Sequence, residues 1–173
     1  MGTKTYSAAV VFGLVALLGT QNAFSSNPQQ VIANIRFDTP LTVTKNADID
    51  FKSVTAGVAQ TVYRISTASA VSVVSGPGTA VFGTPVAGNL TISGSTTQGI
   101  TIAAGNAAAG SGGATVGTFR GNYNGGGSTT FPISGAAPGA GKTLLIGCDL
   151  TTAGSEAAGS TDNPTFDITV TYQ

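Results

Sequence analysis

Four stretches of this chain hold residue types that do chemistry. Asp48 and Asp50 stand two apart with Lys52 beyond them, and paired carboxylates bind a cation or share acid–base work. On an alternating strand that spacing puts both on one polar face, a solvated edge, and no third oxygen ligand follows at calcium spacing. Ala136 to Thr143 reads AAPGAGKT, a relaxed phosphate-loop pattern. Such a loop needs a helix behind it, so that backbone N–H groups and the helix dipole face the phosphates. Thr143 opens TLLIGCDL, a strand-forming run, so the stretch reads as a glycine-rich hairpin loop without nucleotide affinity. Gly121-Asn122-Tyr123-Asn124 precedes three glycines, a composition shared by ligand loops and flexible connections and weighted toward the connection. Cys148 is alone, and there is no His and no Trp. The common zinc sites and nucleophilic triads are therefore excluded. Asn89-Leu90-Thr91 matches the glycosylation acceptor pattern, a three-residue signal only. No catalytic residue, metal ligand or cofactor site is left, and the chain reads as non-enzymatic.

The elements that carry these residues are β-strands. Only 8% of the 173 residues are charged, and Gly, Ser, Thr, Ala and Val dominate. Abundant Thr and Val with many glycines argue for short strands joined by tight turns, and no segment shows a capped helical period. Residues 1–25 read as a secretory signal peptide: Lys4 gives a positive start, Ala8 to Leu18 is small and apolar apart from Gly13, and Ala23 and Ser25 suit a signal peptidase. That run is too short to span a membrane, and the mature chain carries no other span. With Lys4 removed, six basic residues face seven acidic ones, so no basic field exists for nucleic acid or anionic lipid. The single cysteine allows no internal disulfide and reads as a small core residue.

Both ends of the mature chain alternate with a period of two, which marks half-buried strands. In TFDITVTYQ the apolar set is Phe166, Ile168, Val170 and Tyr172. From Val31 to Phe51 the apolar residues fall on odd positions, including Val31, Ala33, Ile35 and Phe37. Pro40 and Lys45-Asn46 divide this stretch into three strands, Val31–Thr39, Leu41–Thr44 and Ala47–Val54. Further short strands are expected at Ala59–Ile65, Ala70–Val74, Ala80–Phe82, Leu90–Ser93, Ile100–Ile102, Phe131–Ile133 and Thr143–Leu150. Gly105 to Gly127 reads as a long surface loop or irregular edge, and Ser155 to Asn163 as a polar loop. Turn signals every eight to twelve residues indicate an antiparallel β-sandwich of about seven to nine short strands. Three segments follow: signal peptide 1–25, extension 26–40, and sandwich 41–173.

PLTVTKNADIDFKSVTAG near the start, with GKTLLIGCDL and FDITVTYQ near the end, resembles the bacterial secreted family called domain of unknown function 4402. Where that family has Asp-Phe-Gly this chain has Asp50-Phe51-Lys52, a departure at the position of a close turn. The family is similar to spore-coat-U-like and chaperone–usher pilins, immunoglobulin-like sandwiches exported through the periplasm to the Gram-negative surface. Pilins of that kind lack a strand and borrow an N-terminal extension from the next subunit. The resemblance makes Val31, Ala33, Ile35 and Phe37 the candidate donor strand. It makes Phe166, Ile168, Val170 and Tyr172 the candidate acceptor and chaperone-docking strand. It implies a homopolymer or related pilin subunits as partners, with a periplasmic chaperone and outer-membrane usher. The expected function is a structural subunit of a surface pilus or filament; the alternative is a monomeric extracellular module that binds carbohydrate or a host surface through its loops.

Overall fold

A period of two in apolar residues, with Thr and Val filling the positions between, favours strands over helices, and among the described residues strands are the only regular elements. The computed structural model describes residues 32–173. The strands are β1 (Thr42–Ala47), β2 (Ser53–Val54), β3 (Val62–Ile65), β4 (Val71–Ser75), β5 (Ala80–Phe82), β6 (Gly88–Ser93), β7 (Ile100–Ala108), β8 (Thr115–Tyr123), β9 (Thr129–Thr130), β10 (Ile133–Gly135), β11 (Lys142–Thr151) and β12 (Thr165–Tyr172). Eight have four residues or more; β2, β5, β9 and β10 have two or three. Among the described residues no helix is long and apolar enough to cross a membrane. The signal peptide, residues 26–31 and with them Val31 lie outside the described residues. Residues 36–173 form one compact unit.

β11 is the spine of the larger, seven-stranded sheet. Its first half pairs antiparallel with β6 and its second half with β3, while β8 runs along its other side. β6 and β3 thus lie end to end, flanked by β1 and β4. At the junction stands Gly147, where a Cβ would meet the Ile65 carbonyl oxygen at 2.3 Å. Only glycine lets the chain leaving β3 cross so close to the spine. The smaller sheet has the order β10-β7-β12, and β2 pairs with β5 as a separate ribbon. The faces of the two larger sheets meet in a core of Leu90, Ile92, Ile100, Ile102, Tyr123, Leu144 and Ile146. Phe166, Ile168, Val170 and Tyr172 of β12 pack against it. This is the antiparallel β-sandwich read from the alternation.

Three local expectations need correction. Lys45-Asn46 does not break the first strand but sits inside β1, where the register shifts between Lys45 and Ala47. The Asn46 amide donates to Asn89 Oδ1 at 3.2 Å and Thr91 Oγ1 at 2.8 Å, so a polar ladder holds the bulge in place. The strand expected over Ala47–Val54 shrinks to β2 and one bridge between Asp50 and Val86. The largest difference is Gly105–Gly127, which contains the end of β7 and all of β8. Gly147 pairs with Arg120 and Asp149 with Gly117, so β8 carries one residue more than β11 across this interval. That bulge, with Thr118 at φ 45°, resets the alternation between Val116 and Phe119 and masks the strand in sequence. Gly121 is a core glycine: a Cβ there would lie 2.6 Å from Ile133 and 2.7 Å from Phe131.

Candidate functional site

A seven-stranded sheet facing a three-stranded one leaves inner-face residues without a strand above them. The deficit lies beside β12, which pairs with β7 on one side and, among the described residues, with no strand on the other. β1 likewise pairs only with β6. Between these two open edges runs a groove of about 1320 Å³. Val43 and Ala47 of β1 form one wall, and Phe166 and Ile168 of β12 the other. Leu90, Ile146, Cys148, Leu150 and Val116 lie along its floor. Phe166 is fixed against Phe119 of β8, with ring centroids 4.4 Å apart.

One end of this opening is tied shut. The Tyr172 hydroxyl accepts from the Ser95 N–H at 2.7 Å and donates to the Thr39 carbonyl. β12 is thereby pinned both to the turn after β6 and to the residue two before Leu41. Arg36 adds a hydrogen bond from its guanidinium to Thr97 Oγ1 in the same turn. Tyr172, expected as a chaperone-docking residue, thus spends its hydroxyl inside the molecule.

Charged loops line the groove's other end. Asp48 and Asp50 do not converge: Asp48 pairs with Lys45 at 2.8 Å and Asp50 with Lys52 at 2.6 Å. Lys52 takes the left-handed backbone, at φ 62°. Its own N–H donates to Asp50 Oδ1 at 2.8 Å, so a carboxylate stabilises a turn that glycine would form without strain. Asp162 holds the loop before β12: its carboxylate accepts from the Ala114 and Asn163 N–H groups at 2.8 and 3.0 Å. A further backbone bond from Gly112, with these two, keeps it below the usual carboxylate range. Cys148 in the floor is fully buried, and burial pushes its thiol up to about 12.

Of the candidate donor residues, Ala33, Ile35 and Phe37 fall in residues 32–40, which form no strand. Ile35 is exposed and Phe37 is 86% exposed. The four candidate acceptor residues do share the inward face of β12. AAPGAGKT ends in β11 with no helix behind it.

Sequence reasoning passed over a charge cluster on the opposite face of the spine. Asp149, 8% exposed, accepts from Arg64 Nε at 2.7 Å, Arg64 NH2 at 2.8 Å and Arg120 NH1 at 3.2 Å. It clamps β3, β11 and β8 together. Burial raises the Asp149 carboxyl, and the two guanidinium groups outweigh that and hold it below its ordinary value. The signal was present in TLLIGCDL as a charge amid an apolar run, but its partners are remote in sequence.

The fold defines a β-sandwich domain in which, among the described residues, β1 and β12 are open sheet edges. The chain belongs to the family of the domain of unknown function DUF4402, whose model matches residues 41–172. No curated protein and no solved structure was found to match it.

Proposed function

We propose that this protein is an exported structural subunit of a cell-surface pilus or filament, joined to its neighbours by strand donation. The observation that carries this reading is the groove between β1 and β12, which has apolar side chains of both strands along its walls and charged loops around it, and is bounded by open sheet edges. Open edges beside apolar walls invite pairing with another chain, and proteins that keep them cover them. Its occupant is the segment 26–39 of a second copy. That segment alternates Val31, Ala33, Ile35 and Phe37, and its described part adds no strand to its own sandwich. Laid beside β12, it completes the smaller sheet with main-chain hydrogen bonds and places alternate side chains over Leu90, Ile146 and Leu150. Burying Val31, Ile35 and Phe37 at roughly 1.5–3 kcal/mol each gives on the order of 5–9 kcal/mol before ordering costs. The pilin resemblance supports the same arrangement, with a periplasmic chaperone and outer-membrane usher as assembly partners and the cell surface as destination.

The test compares the exported wild-type chain with Ile35→Asp and with a deletion of residues 26–35, which leaves the Arg36 and Thr39 ties to the domain in place. Light scattering and electron microscopy should show wild-type polymers and monomeric variants with unchanged sheet circular dichroism. A charge buried without a partner costs several kcal/mol, enough to abolish assembly. A wild type that stays monomeric at every concentration, with variants that unfold, makes the segment part of its own domain and ends the proposal.

A further inference from the structure

Six of the seven basic residues are described, and five of them have a carboxylate within 4.0 Å. Arg36 faces Asp38, Lys45 faces Asp48, Lys52 faces Asp50, and Arg64 and Arg120 share Asp149. Lys142, at the start of β11, has none among the described residues. It lies instead at a separate cavity of about 460 Å³ formed where the chain crosses from β9 to β10. No acidic residue lines that cavity. The Lys142 ammonium sits 6.0 Å from the centroid of the Tyr123 ring. Tyr123 is itself buried and donates its hydroxyl to the Ala136 carbonyl at 3.1 Å, so the lysine rests on a fixed platform.

The rest of the lining is mixed. Asn124, Thr130 and Ser134 bring exposed polar side chains, Gly126 and Gly127 bring bare backbone, and Ile133 gives an apolar wall. A cavity of this size falls in the range that holds small molecules. A lone ammonium neutralises a single negative charge, and no helix end or second cation is present for a phosphate dianion. Hydroxyl, amide and backbone groups spread around one cation match a ligand with one carboxylate and several hydroxyls. The two stretches involved, GNYNGGG and GAGKT, are separated by the β9–β10 segment and meet here because β8 and β11 are paired.

We propose that this cavity is a binding site for an acidic sugar, with Lys142 holding the carboxylate and Asn124, Thr130, Ser134 and the Gly126–Gly127 backbone meeting the hydroxyls. It does not depend on how subunits join, because the cavity shares no lining residue with the groove. The test is a nuclear magnetic resonance titration of the exported full chain with D-galacturonate, D-glucuronate and N-acetylneuraminate. D-galactose, acetate and inorganic phosphate are the comparison arms. At least one acidic sugar should shift the Gly126, Gly127 and Ser134 amides saturably, binding ten-fold or more tighter than every comparison arm. Lys142→Gln should weaken that binding at least ten-fold, and Lys142→Arg should restore part of it with the same amides shifting. Failure of all three acidic sugars to bind overturns the proposal. So does equal affinity for acetate or phosphate, or binding indifferent to Lys142→Gln. Should Lys142→Gln not fold, Ser134→Ala at the cavity rim decides instead: unchanged affinity there overturns the assignment.

Discussion

Replacing Asp149 by Asn tests whether the outer-face ion cluster holds the larger sheet together. The substitution keeps size and one acceptor oxygen but removes the only charge between two guanidinium groups. Arg64 and Arg120 keep side-chain exposures of 34% and 24%, so both rehydrate in part once the carboxylate is gone. Breaking a fully buried pair costs about 3–5 kcal/mol, and partial screening brings this case to about 2–3 kcal/mol. For a domain of this size that lowers Tm by roughly 6–12 °C. The pH dependence has a definite sign. Asp149 is depressed in the folded state, so its contribution is complete above the unfolded carboxylate value of about 3.9. It is lost as pH falls through the lower folded value. Calorimetry from pH 7 down to pH 2.5 should therefore show the full gap between wild type and Asp149→Asn at neutral pH, closing in acid. Other carboxylates titrate in both proteins and cancel from the comparison. A gap under about 2 °C at pH 7, or one that does not change with pH, would show that the cluster is a solvated surface feature.

Two further outcomes bear on the groove. Tyr172→Phe leaves the Ser95 N–H without its acceptor and should cost about 1–2 kcal/mol, measured as a lower urea midpoint with faster amide exchange at Ser95; wild-type values at both would mean that the tie is not made in solution. Cys148 should resist thiol reagents at pH 8 in the folded protein and react promptly in denaturant, since burial keeps it protonated; stoichiometric labelling of the folded chain would contradict a closed groove floor.

The sandwich was legible in sequence wherever the alternation kept its phase. β6, β11 and β12 follow it without interruption, and their inward residues are the ones the period of two selects. It was lost where a bulge slips the phase by one residue. Val116 and Phe119 both line the interior side although they stand three positions apart, a spacing that breaks the period of two and by itself suits one face of a helix rather than a strand. β1 hid its bulge at Lys45-Asn46 in the same way, because a charged and an amide residue at mid-strand resemble a turn. The edge geometry at Tyr172 could not be read at all: its partners, Thr39 and Ser95, are 133 and 77 residues away. A tertiary hydroxyl bond of that kind leaves no local pattern. Lys142 drew notice in sequence as a phosphate-loop lysine, and the strand that excluded that role is the element that delivers it to the cavity beside Tyr123.

The two proposed sites sit on one strand but face different demands. Lys142 begins β11 and Cys148 lies six residues further on, which at about 3.4 Å per residue is roughly 20 Å along the spine. The sheet order separates them laterally as well: the cavity is lined by β10 and the groove by β12, on opposite sides of β7. A strand entering beside β12 therefore adds to the far edge of the smaller sheet and leaves the Ile133–Gly135 edge uncovered. The two proposals are therefore compatible on one molecule, since the cavity and the groove share no lining residue. An assembled filament would then present one acidic-sugar site per subunit, and weak single-site affinity would be multiplied by the density of copies along it.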